Sequence, residues 1–149
     1  MTTTAAEKNM SALNIHKEID IDAQPAVAFQ AMLEQLGPHN TTPHGPMPMK
    51  LEAWPGGRWF RDLGNGAGHF WGHVQVIKPP TLLEVTGPLF MSYPAVSHVQ
   101  YRLTENGRGT RLTLVHRAFG EIVAEHRDGV NQGWEYILAA IKGRAEGKK

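Results

Sequence analysis

Cysteine is absent from the 149-residue chain. Disulfides, thiolate catalysis and cysteine-ligated zinc are therefore excluded. Long apolar runs are missing as well, and no stretch approaches the ~20 residues that a membrane-spanning helix needs. There is little excess charge of either sign, since the formal net charge is +1. Lysines and arginines are scattered rather than striped, so nothing marks a nucleic-acid or membrane surface. No nucleophile elbow, phosphate loop or dinucleotide fingerprint occurs, and Asn106-Gly107-Arg108-Gly109 is turn chemistry. The opening MTTTAAEKNMSALN has no apolar signal region, so a cytoplasmic location is expected. Residues 1–11 are expected to form a disordered tail, ahead of a single domain over 12–147.

What the chain does have is a long C-terminal helical pattern. Over 121–146, apolar residues fall at Val123, Val130, Trp134, Ile137, Leu138 and Ile141, three and four apart, in one stripe. Lys142 and Arg144 gather at the end, where they oppose the negative pole of the helix dipole. Gly129 and Gly133 sit near the stripe, each costing about 1 kcal/mol against alanine. Either a sheet approaches them closely or they leave space for something else.

The preceding hundred residues read mainly as strands. Residues 13–22 alternate as a half-buried strand. Pro25 then opens a helix whose apolar face carries Ala28, Phe29, Met32, Leu33 and Leu36, and Gly37-Pro38 ends it. The loop 38–48 is proline-rich and long, either a lid or binding loop or a plain connector. Pro55-Gly56-Gly57 signals a hairpin between 47–54 and 58–63. The register that avoids a Lys50–Arg61 pair sets Glu52 against Arg61 and Trp54 against Trp59. It turns Leu51, Ala53 and Phe60 inward and both tryptophans outward, as a self-packed pair or as a patch for a partner or a second copy. Strands follow over 69–78 and 82–86. The hairpin 96–104/110–117 places Val99, Tyr101 and Leu103 on one face with Leu112, Leu114 and His116. This order predicts an α+β fold in which a curved antiparallel sheet of about six or seven strands holds the long helix.

Several stretches resemble one family. They are Ile21-Asp22-Ala23-Gln24-Pro25, Pro55-Gly56-Gly57-Arg58-Trp59, Gly72 with Pro79-Pro80 and Leu82-Leu83, Gly109-Thr110-Arg111-Leu112-Thr113-Leu114, and Gly133-Trp134 with Leu138. In order and spacing they are similar to the homologue-like family of activators of the heat-shock-protein ATPase, in the SRPBCC (START/Bet v 1-like) superfamily. The resemblance implies a helix-grip fold with a cavity for an apolar ligand between sheet and last helix. The family's tryptophan-rich segment after the first helix is replaced here by Leu36-Gly37-Pro38-His39-Asn40.

The side chains expected between sheet and helix are Phe29, Met32, Met49, Leu51, Phe60, Trp71, Tyr101, Leu114, Trp134 and Leu138, either as a filled core or as the wall of a cavity. Of these, Phe60, Trp71, Tyr101, Leu114 and Trp134 are expected to line the cavity, with His116 as its polar contact. His116, with Asp62 or His69, is the candidate acid/base set of a cyclase- or hydrolase-like enzyme. The competing reading of His116 is a hydrogen-bonded histidine at a strand end. His69 and His73 would lie roughly 13 Å apart along one strand, too far to share an ion. His39 and His44 have no carboxylate nearby in sequence, so no metal and no cofactor is expected. The leading expectation is binding of a small hydrophobic or aromatic molecule, without nucleic acid or membrane as partner. The alternatives are the enzyme, a chaperone-associated domain, or a homodimer through the tryptophan patch.

Overall fold

The computed structural model describes residues 10–147. The elements run β1 (Ser11–Ile21), α1 (Pro25–Leu36), β2 (Thr41–Thr42), β3 (Gly45–Pro46), β4 (Lys50–Leu51), β5 (Arg58–Gly64), β6 (Ala67–Lys78), β7 (Leu82–Gly87), β8 (Ala95–Asn106), β9 (Gly109–Gly120) and α2 (Ala124–Ala145). β1 and β4 to β9 form a seven-stranded antiparallel sheet in the order β1-β9-β8-β7-β6-β5-β4, and β2 pairs only with β3. This is the helix-grip α+β fold. The tail expected over 1–11 lies largely outside the described residues, and Ser11 already pairs with Gly120.

Each long element follows from its local pattern. β1 alternates, with Leu13, Ile15 and Ile21 buried and Asn14, His16 and Asp20 exposed. Pro25 starts α1, where its missing N–H costs nothing, and the Gly37 N–H closes the helix on the carbonyls of Leu33 and Glu34. Asn65 and Gly66 both take positive φ, at 55° and 79°, as the two-residue loop joining β5 and β6 requires. α2 begins at Ala124, three residues later than the periodicity suggests, and spans roughly 33 Å. It buries Val130, Trp134, Leu138 and Ile141 and lies against α1 and β1.

The hairpin around Pro55-Gly56-Gly57 departs from expectation. β4 has two residues, and Leu51 pairs with Trp59 while Lys50 pairs with Phe60. Residues 52–57 form a longer loop in which the Glu52 carboxylate accepts from the Arg58 backbone N–H at 2.8 Å and from its guanidinium at 2.9 and 2.8 Å. Those hydrogen bonds, the side-chain ones foremost, hold the Glu52 carboxyl down to about 2. Glu52 therefore faces Arg58, not Arg61. The faces invert with the register. Trp59 is buried, whereas Phe60 turns outward beneath the Arg58 guanidinium, 4.7 Å from its ring centre, and Ala53 is exposed. Trp59 points inward because its indole N–H donates at 2.8 Å to the Leu36 carbonyl, which the end of α1 leaves without an intrahelical donor. Trp54 stays outside alone, 57% exposed.

Candidate functional site

The interior divides along α2. Beneath its C-terminal half the core is filled: Leu83, Val99, Tyr101, Leu103, Leu112, Leu114 and Ile141 are each at most 1% exposed. Beneath its N-terminal half lies a cavity of about 580 Å³. Leu36, Met47, Trp59, Trp71, Phe90, Val130, Trp134 and Ile137 make its apolar wall, and Asn40, Thr41, Thr42, Glu125, His126, Gln132 and Tyr136 are its polar members. Gly129 and Gly133 also line it, and a Cβ built on either would meet no atom within 4 Å beyond the local helix backbone. The helix glycines thus leave space and do not admit a close strand.

The aromatic wall is a chain of edge-to-face contacts. Ring centres are 5.0 Å apart for Trp59–Trp71, 5.6 Å for Trp71–Phe90 and 6.2 Å for Phe90–Trp134, the geometry that aromatic quadrupoles favour. Phe90 reaches this position through a left-handed turn at Leu89, φ 55°, which buries Leu89 and sets the next side chain over the cavity. The Tyr93 hydroxyl and His126 Nδ1 lie 3.0 Å apart and tie the segment after β7 to the first turn of α2.

His116 is fully buried behind this wall. The indole N–H of Trp134 donates to its Nδ1 at 2.9 Å, and Ser97 Oγ lies 2.9 Å from its Nε2. An indole nitrogen only donates, so Nδ1 is an acceptor, and Nε2 carries the proton toward Ser97. Burial pushes the imidazole down from 6.5 to about 4. His116 is therefore a neutral strut that orients Trp134, and it does not line the cavity. Burial also pushes the Tyr101 phenol above its ordinary value, and its hydroxyl has no partner among the described residues.

The residues expected at the site do not all meet there. Trp71 and Trp134 line the cavity; Phe29, Met32, Met49, Tyr101, Leu114 and Leu138 belong to the packed core; Leu51 is half-buried against it. Phe60 is on the outer face. The acid/base set is not brought together. Asp62 is exposed and paired with Lys50 at 3.1 Å, its carboxyl lowered first by the Gly64 N–H and then by Lys50. His69 is exposed opposite Arg61. β-Bulges between Trp59 and Phe60 and between Asp62 and Gly64 shift the facing that simple alternation predicts. Trp59, Phe90, Asn40, Thr41 and Tyr136 also line the cavity, and no periodicity in the sequence marks them for it. The length of the loop 38–48 was the one signal for the flap that Asn40 and Thr41 occupy. Among the described residues, no three His, Asp or Glu side chains gather as a metal site, and no helix is long and apolar enough to cross a membrane.

The sequence pattern of the family described as Activator of Hsp90 ATPase homolog 1-like protein matches residues 22–146. No curated protein matches the chain. Among solved structures, a protein from Rhizobium leguminosarum superposes with a TM-score of 0.70 at 16% identity, covering 93% of this chain and 97% of that one. Ara h 8.0201 superposes with a TM-score of 0.68 at 14% identity, over 93% of this chain and 100% of that one. The di-domain ARO/CYC StfQ from the steffimycin biosynthetic pathway does so with 0.67 at 12% identity, over 94% of this chain and 52% of that one. At these identities the likeness is one of fold.

Proposed function

The chain belongs to the Activator of Hsp90 ATPase homolog 1-like family, within the SRPBCC superfamily, and from that premise we propose that it binds a small apolar or aromatic molecule in the cavity under the N-terminal half of α2. One observation carries the reading: the volume of about 580 Å³ is walled by Trp59, Trp71, Phe90 and Trp134 and kept open by Gly129 and Gly133. A close-packed interior holds few voids larger than a water molecule, whereas ligand pockets fall in the range of roughly 300–1,000 Å³. Helix glycines that meet no neighbour weaken the helix without improving its packing. A bound molecule supplies the contacts they withhold.

The test is titration with an uncharged apolar dye such as N-phenyl-1-naphthylamine. Binding should saturate and quench tryptophan emission, because three tryptophans line the space. Gly133→Leu, which places a side chain in the cavity, should abolish binding while circular dichroism still reports the fold. Wild-type protein with no saturable binding would overturn the reading in favour of an unoccupied packing defect.

A further inference from the structure

We propose that the flap end of the cavity is a hydrogen-bonding subsite for an uncharged hydroxyl group on an otherwise apolar ligand, formed by Thr41, Tyr136 and Asn40. The proposal rests on the binding reading above and adds the chemistry of the ligand.

Arg144 Nε donates to Gln35 Oε1 at 3.2 Å. A guanidinium has no acceptor, so the Gln35 amide is fixed with its nitrogen toward Thr41. Gln35 Nε2 then donates to Thr41 Oγ1 at 3.0 Å. Thr41 Oγ1 and the Tyr136 hydroxyl are 3.3 Å apart. The two hydroxyls hold two protons, and only one can lie between them. Whichever donates, the other keeps an O–H with no acceptor among the described residues, and both residues line the cavity. The preceding residue supplies the complement. Asn40 is 4% exposed and also lines the cavity. Its Nδ2 donates to the Met47 carbonyl at 3.1 Å, which fixes Oδ1 as the free end, and no described residue donates to it.

Neighbouring residues of the flap therefore offer one spare donor and one spare acceptor. A single hydroxyl satisfies both, accepting from the Thr41–Tyr136 pair and donating to Asn40. A hydrocarbon in the same place displaces water and leaves both groups unpaired. A carboxylate meets the Asn40 oxygen, with no lysine or arginine among the described lining residues to offset its charge; Glu125 is the formally charged one.

Four probes with one ring system test this by calorimetry at neutral pH: 2-naphthol, 2-methoxynaphthalene, naphthalene and 2-naphthoate. 2-Naphthol should bind about tenfold more tightly than naphthalene, 2-methoxynaphthalene should fall between them, and 2-naphthoate should be weakest. Tyr136→Phe should keep the naphthol advantage, because the Thr41 proton is then free. In the Thr41→Val/Tyr136→Phe double variant 2-methoxynaphthalene, which can only accept, should lose its advantage over naphthalene, and 2-naphthol should keep only the part that donation to Asn40 supplies. Equal binding of 2-naphthol and naphthalene to wild type overturns the subsite and leaves the pocket reading standing, and this comparison needs no variant to fold. A 2-methoxynaphthalene advantage over naphthalene that survives undiminished in the double variant overturns the assignment of the donor to Thr41 and Tyr136. Failure of all four probes to bind overturns the binding reading and the subsite with it.

Discussion

One helix meets the same sheet in two ways. In its C-terminal half, α2 lays Leu138 and Ile141 into a filled core at 3% and 0% exposure. In its N-terminal half, Gly129 and Gly133 present nothing, and the space beneath them stays open. The distance between helix and sheet is set where large side chains interlock. Where the sequence withholds side chains, a rigid helix cannot sag to close the gap. Trp134 stands at the boundary. On the packed side its ring centre is 6.0 Å from Tyr101 and 5.6 Å from His116; on the open side it is 6.2 Å from Phe90. A cavity in a small domain thus depends on a packed half stable enough to support an unpacked one.

Removing the boundary side chain is the strongest way to break this contrast. Trp134→Ala should lower stability by about 3–5 kcal/mol in urea denaturation, since it merges the cavity with the core and leaves His116 Nδ1 without its donor. A loss below about 1 kcal/mol would mean that the helix does not rest on this residue.

Acid tests the seal between the two halves. The folded-state value of about 4 for His116 lies below its ordinary 6.5. The unfolded chain therefore takes up the proton first as pH falls. The stabilisation from a neutral, buried His116 is complete above pH 6.5 and disappears as pH falls through 4, roughly 3 kcal/mol in all. His116→Gln, whose amide can accept from Trp134 and donate to Ser97, should flatten the stability profile in that window. Wild-type stability that stays level from pH 6.5 to 4 would show His116 to be in contact with water.

The smallest effect has the opposite sign. Gly133→Ala should raise stability by up to about 1 kcal/mol, because alanine is the better helix former and its methyl meets no atom. A decrease in the melting temperature would show that the N-terminal half of α2 is already closely packed, and the two halves would then be alike.

The elements were legible because their signals are local. The stripe from Val130 to Ile141, the proline and glycine that bound α1, and the long hairpin of β8 and β9 each occupy a few turns or one paired ribbon. Val99, Tyr101, Leu103, Leu112, Leu114 and His116 do share the buried face there, since an unbroken alternation of period two carries across a regular hairpin. The shorter hairpin was misread for the same reason. Its loop takes residues 52–57 and its strand partner contains bulges, so Trp59 pairs with Leu51 and not Trp54, and this odd slip of three residues exchanges Trp59 with Phe60. His116 was identified as inward-facing, but its sealing by Trp134 and Ser97 joins residues on three separate elements.

By itself, then, the sequence determined the order of strands and helices, the apolar stripe of the last helix and the two glycines interrupting it, because each is written in residues a few positions apart. Only the tertiary structure decided that those glycines face open volume, that Trp59 and Phe90 complete the wall, and that Thr41 meets Tyr136. These depend on loop paths, bulges and contacts between residues as distant as Thr41 and Tyr136, and no local periodicity records such distances.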